Sequence, residues 1–244
     1  MARDPRGVGR LVGMLDISQV RVRVDDAERA AAFYSAVFGW DLRLARSGTG
    51  QTALGARLVL TDDSGEPDVR LSFTVPDLSE AAKQVEGLGG QIEHAARTAV
   101  RCRDDQGTPL LLRVANIEDS GQATPQVRGV LGVIFVFARD LDRAAEFYGD
   151  FAGWAFEAIG SDKDILFVTN GPPVGIRAAS KAPGGRSGAV TFHVSVSEPE
   201  SVIEAIEGHG GRVGPAQPAG VYTTRACHDD QGTAFSLWYQ PTGA

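Results

Sequence analysis

The sequence predicts an α+β protein of two homologous halves, each made of two units in which one strand and one helix precede three further strands. Internal repetition is the first observation behind this. The segment Asp26-Ala-Glu-Arg-Ala-Ala-Ala-Phe33-Tyr34, followed by Gly39-Trp40, returns as Asp140-Leu-Asp-Arg-Ala-Ala-Glu-Phe147-Tyr148, followed by Gly153-Trp154. Gly89-Gly90 returns as Gly210-Gly211, and Asp104-Asp105-Gln106-Gly107-Thr108 returns as Asp229-Asp230-Gln231-Gly232-Thr233. Three matches in the same order exclude chance, and loop insertions account for an offset that lengthens along the chain. The second observation is a grammar that occurs four times, an alternating strand running into a capped helix.

The elements follow in order. Val20, Val22 and Val24 alternate with Gln19, Arg21 and Arg23, and Asp25 or Asp26 caps a helix running through Phe38. Leu71, Phe73 and Val75 lead to a helix near 79–88. Ile134, Val136 and Ala138 lead to one near 141–151, and Phe192, Val194 and Val196 to one near 199–208. Short strands follow each helix. A period of two gives each sheet one face that packs the helices and another that carries a different set of residues, where function is expected. The boundaries read as a tail over 1–14, a first domain over 15–115, a linker over 116–128 rich in small and polar residues, and a second domain over 129–241.

Composition narrows the function classes. At 244 residues the chain exceeds the usual single domain, and 43% apolar with 23% charged residues is enough to bury a core. A net charge of −7 argues against wrapping nucleic acid, so a small molecule or a protein is the expected partner. No apolar run approaches the ~18 residues of a membrane span, and the opening residues are rich in arginine without the apolar stretch of a signal peptide; the expectation is a cytoplasmic protein. Two cysteines, Cys102 and Cys227, form no disulfide framework or metal knuckle. They are repeat mates and read as buried structural thiols.

The order strand, Val-x-Asp, helix ending Phe-Tyr, Gly-Trp, Gly-Gly, Asp-Asp-Gln-Gly and a last strand ending Leu237-Trp238 resembles the vicinal oxygen chelate superfamily over nearly the whole chain. That superfamily includes glyoxalase I, extradiol dioxygenases, methylmalonyl epimerases and the bleomycin and fosfomycin resistance proteins. The flavour is similar to the tandem glyoxalase-like proteins of actinomycetes, where Asp-Pro-Gln-Gly is the commoner turn. The resemblance implies four βαβββ units forming two curved-sheet cups. It also implies where a metal would be held: Gln19, Arg70 and Leu111 occupy those positions in the first half, and Val133, Thr191 and Ser236 in the second. Divalent metals want His, Asp, Glu or Cys at converging positions, and of these residues Gln19 alone is a conceivable ligand. The expectation is therefore no metal and no cofactor.

The two cups differ in chemistry. By strand parity the first presents Gln19, Arg21, Arg23, Arg70, Ser72, Thr74, Leu111 and Arg113, a guanidinium-rich face suited to an acidic partner or to pairing with carboxylates. The second presents Val133, Phe135, Phe137, Thr191, His193, Ser195, Ser236 and Trp238, an aromatic-walled surface with a few polar groups, with Tyr222 on a late strand near it. His193 is the candidate catalytic residue, because an imidazole exchanges protons near neutral pH; its alternative role is a hydrogen-bonded strand residue. Phe135, Phe137, Thr191, Ser195, Tyr222, Ser236, Trp238, Gln19 and Arg70 are the candidate substrate-binding residues. His94 and His209 read as surface residues, as does His228, for which a place on the cup rim is also open. Phe33-Tyr34, Phe147-Tyr148, Trp40 and Trp154 read as core anchors, and Asp-Asp-Gln-Gly reads as a hairpin turn.

Two functions from different classes follow. One is a metal-independent cyclase, hydratase or isomerase tailoring an aromatic, polyketide-like secondary metabolite. The other is a resistance protein that sequesters a toxic compound, similar to the bleomycin-binding members. A metal-dependent enzyme of the glyoxalase or dioxygenase kind is a further alternative. No membrane partner is expected, and the chain would be a monomer or a homodimer.

Overall fold

The computed structural model of the chain describes residues 14–40, 42, 48–50, 57–62, 69–114, 128–158 and 163–241. Most of the expected tail and linker lies outside these residues. The first repeat unit is β1 (Ile17–Arg23), α1 (Ala27–Phe38), β2 (Gly48–Gly50) and β3 (Arg57–Thr61); the second is β4 (Val69–Thr74), α2 (Leu78–Gly87), β5 (Gln91–Ala95), β6 (Ala99–Arg103) and β7 (Pro109–Arg113). The third is β8 (Gly129–Ala138), α3 (Leu141–Ala152), β9 (Phe156–Glu157), β10 (Ile165–Val168) and β11 (Val174–Ala178). The fourth is β12 (Val190–Val196), α4 (Pro199–Gly208), β13 (Arg212–Val213), β14 (Gln217–Ala219), β15 (Tyr222–His228) and β16 (Ala234–Tyr239). The fourth unit thus carries one short strand more than the expected grammar, β14, which forms a hairpin with β15. No described helix is long and apolar enough to cross a membrane.

Among the described residues one sheet runs β2-β3-β1-β4-β7-β6-β5. The other runs β13-β15-β16-β12-β8-β11-β10-β9, with β14 on β15. Each sheet takes its strands from one half of the chain. β1 pairs β3, β4 pairs β7 and β12 pairs β16 in parallel, whereas the hairpins β5-β6, β6-β7, β10-β11 and β15-β16 are antiparallel. Three helices begin as the sequence dictates: Asp26, Asp77 and Asp140 accept from the backbone N–H three residues on. The fourth helix starts on Pro199, whose missing N–H costs nothing at that position. Gly39 and Gly153 end α1 and α3 with φ of 74° and 73°, a conformation that penalises any side chain.

Tight packing follows a different grouping from the sheets. One compact unit comprises Met1–Ser18, Arg70–Ser120 and Val136–Val190 and is called the middle unit because it holds most of the second and third repeats in chain order; the other, called the outer unit because it holds most of the first and fourth, comprises Gln19–Val69, Gly121–Phe135 and Thr191–Ala244. The core of the middle unit gathers Phe73, Phe151, Tyr148 and Trp154, with Tyr148 and Trp154 stacked at 5.3 Å and the indole N–H donating to Leu15 O at 2.8 Å. The outer unit repeats the arrangement with Tyr34 stacked on Trp40 at 5.7 Å, Phe192 stacked on Phe235 at 5.8 Å, and the Trp40 N–H donating to Gly129 O at 2.7 Å.

The two repeated motifs of the sequence are partners of each other. In the middle unit Tyr148 donates its hydroxyl to Asp104 Oδ2 at 2.9 Å, Arg143 pairs Asp105 at 3.0 Å, and Asp140 N donates to Gln106 Oε1 at 3.3 Å. In the outer unit Tyr34 donates to Asp229 Oδ2 at 3.1 Å, Arg29 pairs Asp230, and Asp26 N donates to Gln231 Oε1 at 2.7 Å. The other carboxylate oxygen of each aspartate holds its own turn, accepting from Gln106 N and Thr108 N in one case and from Gln231 N and Thr233 N in the other. Asp-Asp-Gln-Gly is therefore a hairpin turn, as read, and also the receptor for a helix.

Burial of these latches perturbs their acids. Desolvation raises Asp104 above the ordinary carboxylate value against the opposing hydrogen bonds from Thr108, Tyr148 and Gln106. Burial and the neighbouring aspartates raise Tyr34 and Tyr148 well above 10.0. Both cysteines are buried, and burial pushes their thiols up to about 12.

A phenol whose pKa is raised by folding binds its proton more tightly in the native state. Its contribution to stability is complete below the unfolded value near 10.0 and is lost as pH rises toward the folded one. The Tyr34→Phe/Tyr148→Phe variant should therefore lose stability less steeply above pH 10 than the parent, read from urea midpoints over that range; parallel curves would refute the assignment. At neutral pH Tyr148→Phe alone leaves a buried carboxylate oxygen without its donor, and should lower stability by about 1 to 3 kcal/mol in the same assay.

Candidate functional site

The strands of the outer unit assign its two faces. Phe192, Val194, Phe235 and Leu237 are buried in the helix-facing core, so the residues between them on β12 and β16 face the other way. The register places His193 opposite Ser236 and Ser195 opposite Trp238, and across the next ladder Ser236 opposite Ala226 and Trp238 opposite Thr224. Paired residues share a face, so one row reads His193, Ser236 and Ala226, and the next Ser195, Trp238 and Thr224. Tyr222, two residues before Thr224, brings its ring to 4.4 Å from that of Trp238. This fixes the orientation of Tyr222, which parity alone had left open.

His193 is buried on this surface, 8% exposed, with its ring edge-on to Phe135 at 4.7 Å. Thr191 is buried beside it at 6%, Trp238, Ser236 and Tyr222 are half-buried, and Ser195 is exposed. Polarity therefore grades from a nearly dry imidazole to an accessible hydroxyl within one strand. Gly132 leaves space there: a Cβ on it would meet that of Ser195 at 3.5 Å. Val133 is buried at 6%.

The other expected residues divide between the two units. Phe137 belongs to the middle unit, 3% exposed, and its backbone is held by Ala189 O and Gly188 N. Gln19 is buried on β1 of the outer unit and accepts from Arg21 Nη1 at 3.4 Å. Arg70 is half-buried on β4 of the middle unit. His94 and His209 are exposed as expected, and His209 Nδ1 lies 2.8 Å from Ala205 O. His228 is half-buried on β15 rather than exposed, because it closes the β15–β16 ladder against Ala234.

The positions where the sequence resemblance would put a metal can be tested on their donors. Gln19, Arg70, Leu111, Val133, Thr191 and Ser236 supply one amide, two hydroxyls, a guanidinium and two hydrocarbons. Among the described residues no group of three or more His, Cys, Asp or Glu gathers where an ion could be held. This donor set does not fit a divalent metal, whose usual ligands are imidazole, carboxylate and thiolate.

Comparison with known proteins places the chain. The glyoxalase-like domain family matches residues 19–112 and again 133–238. A glyoxylase-like domain-containing protein of Didymella fabae is 28% identical over 130 residues, which span 47% of this chain and 97% of that one. Among solved structures, homoprotocatechuate 2,3-dioxygenase from Brevibacterium fuscum superposes with a TM-score of 0.66 at 14% identity, covering 99% of this chain and 86% of its own. The 2,2',3-trihydroxybiphenyl 1,2-dioxygenase of Sphingomonas wittichii gives 0.63 at 18% identity over 95% and 93%, and the Mn(II)-bound glyoxalase of Novosphingobium aromaticivorans gives 0.62 at 15% over 93% and 82%. At such identities the structural likeness establishes the fold alone. Matched twice along most of its length, and carrying the tandem architecture, the chain belongs to the glyoxalase-like domain family of the vicinal oxygen chelate superfamily.

Proposed function

We propose that the chain is a metal-independent enzyme that moves a proton on an aromatic small molecule, in the manner of a cyclase, hydratase or isomerase of polyketide-like secondary metabolism. The observation that carries the reading is the setting of His193, buried edge-on against Phe135 and in register with Ser236, with Trp238 and Tyr222 one row away. Half-buried Trp238 and Tyr222 offer ring surface on which a flat ligand stacks. Thr191, Ser236 and Ser195 offer hydroxyls that orient its oxygens. His193 takes a proton from, or returns it to, a phenol or an acidic carbon held against that surface. Orientation by the ring wall supplies a further share of the rate, because a ligand held in its reactive fold has already met the entropic cost of reaching it. The poor donor set at the metal positions of the family supports a reaction that needs no metal.

Three tests follow. Trp40 and Trp154 are 1% and 3% exposed, so Trp238→Phe should remove most of the tryptophan emission that acrylamide quenches; quenching of equal strength in the variant would place Trp238 away from solvent and ligand. In a turnover screen of aromatic hydroxy and keto compounds, His193→Ala should lower the rate by about 100-fold or more while affinity changes only a few-fold. Unchanged turnover sinks the role of His193, and tight binding without turnover by the parent protein identifies a sequestering protein instead. Activity of the parent after chelation should match its activity after loading with zinc, manganese, iron or nickel, with metal content followed by elemental mass spectrometry; gain on loading would return the chain to metal chemistry.

A further inference from the structure

We infer that the middle unit carries a separate ligand site for a small organic oxyanion, a carboxylate or phosphate ester, on the face of β4, β6 and β7 where Arg70, Arg101 and Arg113 surround Ser72. The two faces of these strands are assigned by burial. Leu71, Phe73, Val100, Cys102, Leu110 and Leu112 are all 3% exposed or less and make the helix-facing core. Their neighbours therefore stand on the other face.

The register orders that face into rows. Leu111 lies opposite Ser72 on one side and Arg101 on the other, while Arg113 lies opposite Thr74 and Ala99. Arg70 precedes Ser72 by two residues on β4, as Leu111 precedes Arg113 on β7. With strands about 4.8 Å apart and alternate residues about 6.6 Å apart, all three arginines start within about 10 Å of Ser72, a distance their side chains can cross. Arg70 and Arg113 are half-buried on this face, and Arg101 is exposed. This is a cationic face on a chain whose net charge is −7.

Ser72 is the independent observation. The residue is completely buried, and its Oγ makes no hydrogen bond among the described residues. A hydroxyl removed from water without a partner is unfavourable, and is expected where a ligand supplies the acceptor. An oxyanion is that acceptor, and guanidinium forks match carboxylate and phosphate oxygens in pairs. The corresponding positions of the outer unit hold different chemistry. Its register places His193 opposite Ser236, with Ala226 beyond, where the middle unit has Ser72, Leu111 and Arg101; Trp238 stands where the middle unit has Arg113. The two faces are built for different ligands.

The test uses the full chain with inorganic phosphate and with succinate as probes, each against chloride at equal ionic strength, by thermal shift and titration calorimetry. A saturable rise in Tm with either probe, absent with chloride, is the expected result. A response to phosphate alone assigns a phosphate ester, and one to succinate alone a carboxylate. The double variant Arg70→Gln/Arg113→Gln should weaken binding about tenfold or more, since it removes two charge-assisted donors. Ser72→Ala should weaken it a few-fold with an unchanged far-ultraviolet dichroism spectrum, and His193→Ala should leave it unaltered. No saturable effect beyond chloride, or an equal effect in the double glutamine variant, overturns the proposal.

Discussion

A phenol hydroxyl donating to a buried aspartate, once in each compact unit, is the interaction on which the rest of the structure depends. Tyr148 with Asp104 and Tyr34 with Asp229 join the middle of a helix to the tight turn of a hairpin far away in the chain. Neither partner is tolerable alone. A buried tyrosine without an acceptor, or a buried carboxylate without donors, costs more than the pair returns, so helix and turn must both be in place. The aspartate also organises its own turn through two backbone N–H groups, leaving Gly107 and Gly232 to take φ near 90°. One carboxylate thus couples local turn geometry to long-range packing.

Much of this was legible and one part was not. The period of two put Val20, Leu71 and Val194 on the core face, where each is fully buried, and Arg21, Arg70 and Ser195 on the other face, where none is. The caps were legible because aspartate before an apolar helical run has one economical use. The latch was missed because each half of it has an adequate local explanation, an aromatic anchor on a helix and a polar turn. The signal was present all the same: both motifs recur together, and a tyrosine read as buried must find a partner for its hydroxyl. The unit in which each helix packs could not be read from periodicity, which records that a face is apolar and not which apolar face it meets.

The same reasoning bounds the candidate site. Strand parity located His193, Ser236 and Trp238 on one face, and register alone showed that they fall in adjacent rows. Tyr222 could not be oriented from its sequence, since a seven-residue strand after a turn offers no fixed starting parity; its ring against Trp238 settles the matter. Phe137 and Arg70 share strand parity with their expected companions, yet parity says nothing about which compact unit a residue joins.

The duplication separates two physical demands that a single domain must meet together. Latch and core residues are alike in both repeats, since Tyr, Trp, Asp and Gly each perform a geometric task that few substitutes perform. The faces turned away from the helices have no such duty. Ser72 with Leu111 and His193 with Ser236 occupy equivalent registers, yet one pair sits among guanidinium groups and the other beside aromatic rings. A face that contributes little to folding can change its charge and polarity at small cost in stability, provided the latched side remains intact. Two cups of one fold can therefore hold different chemistries within one chain.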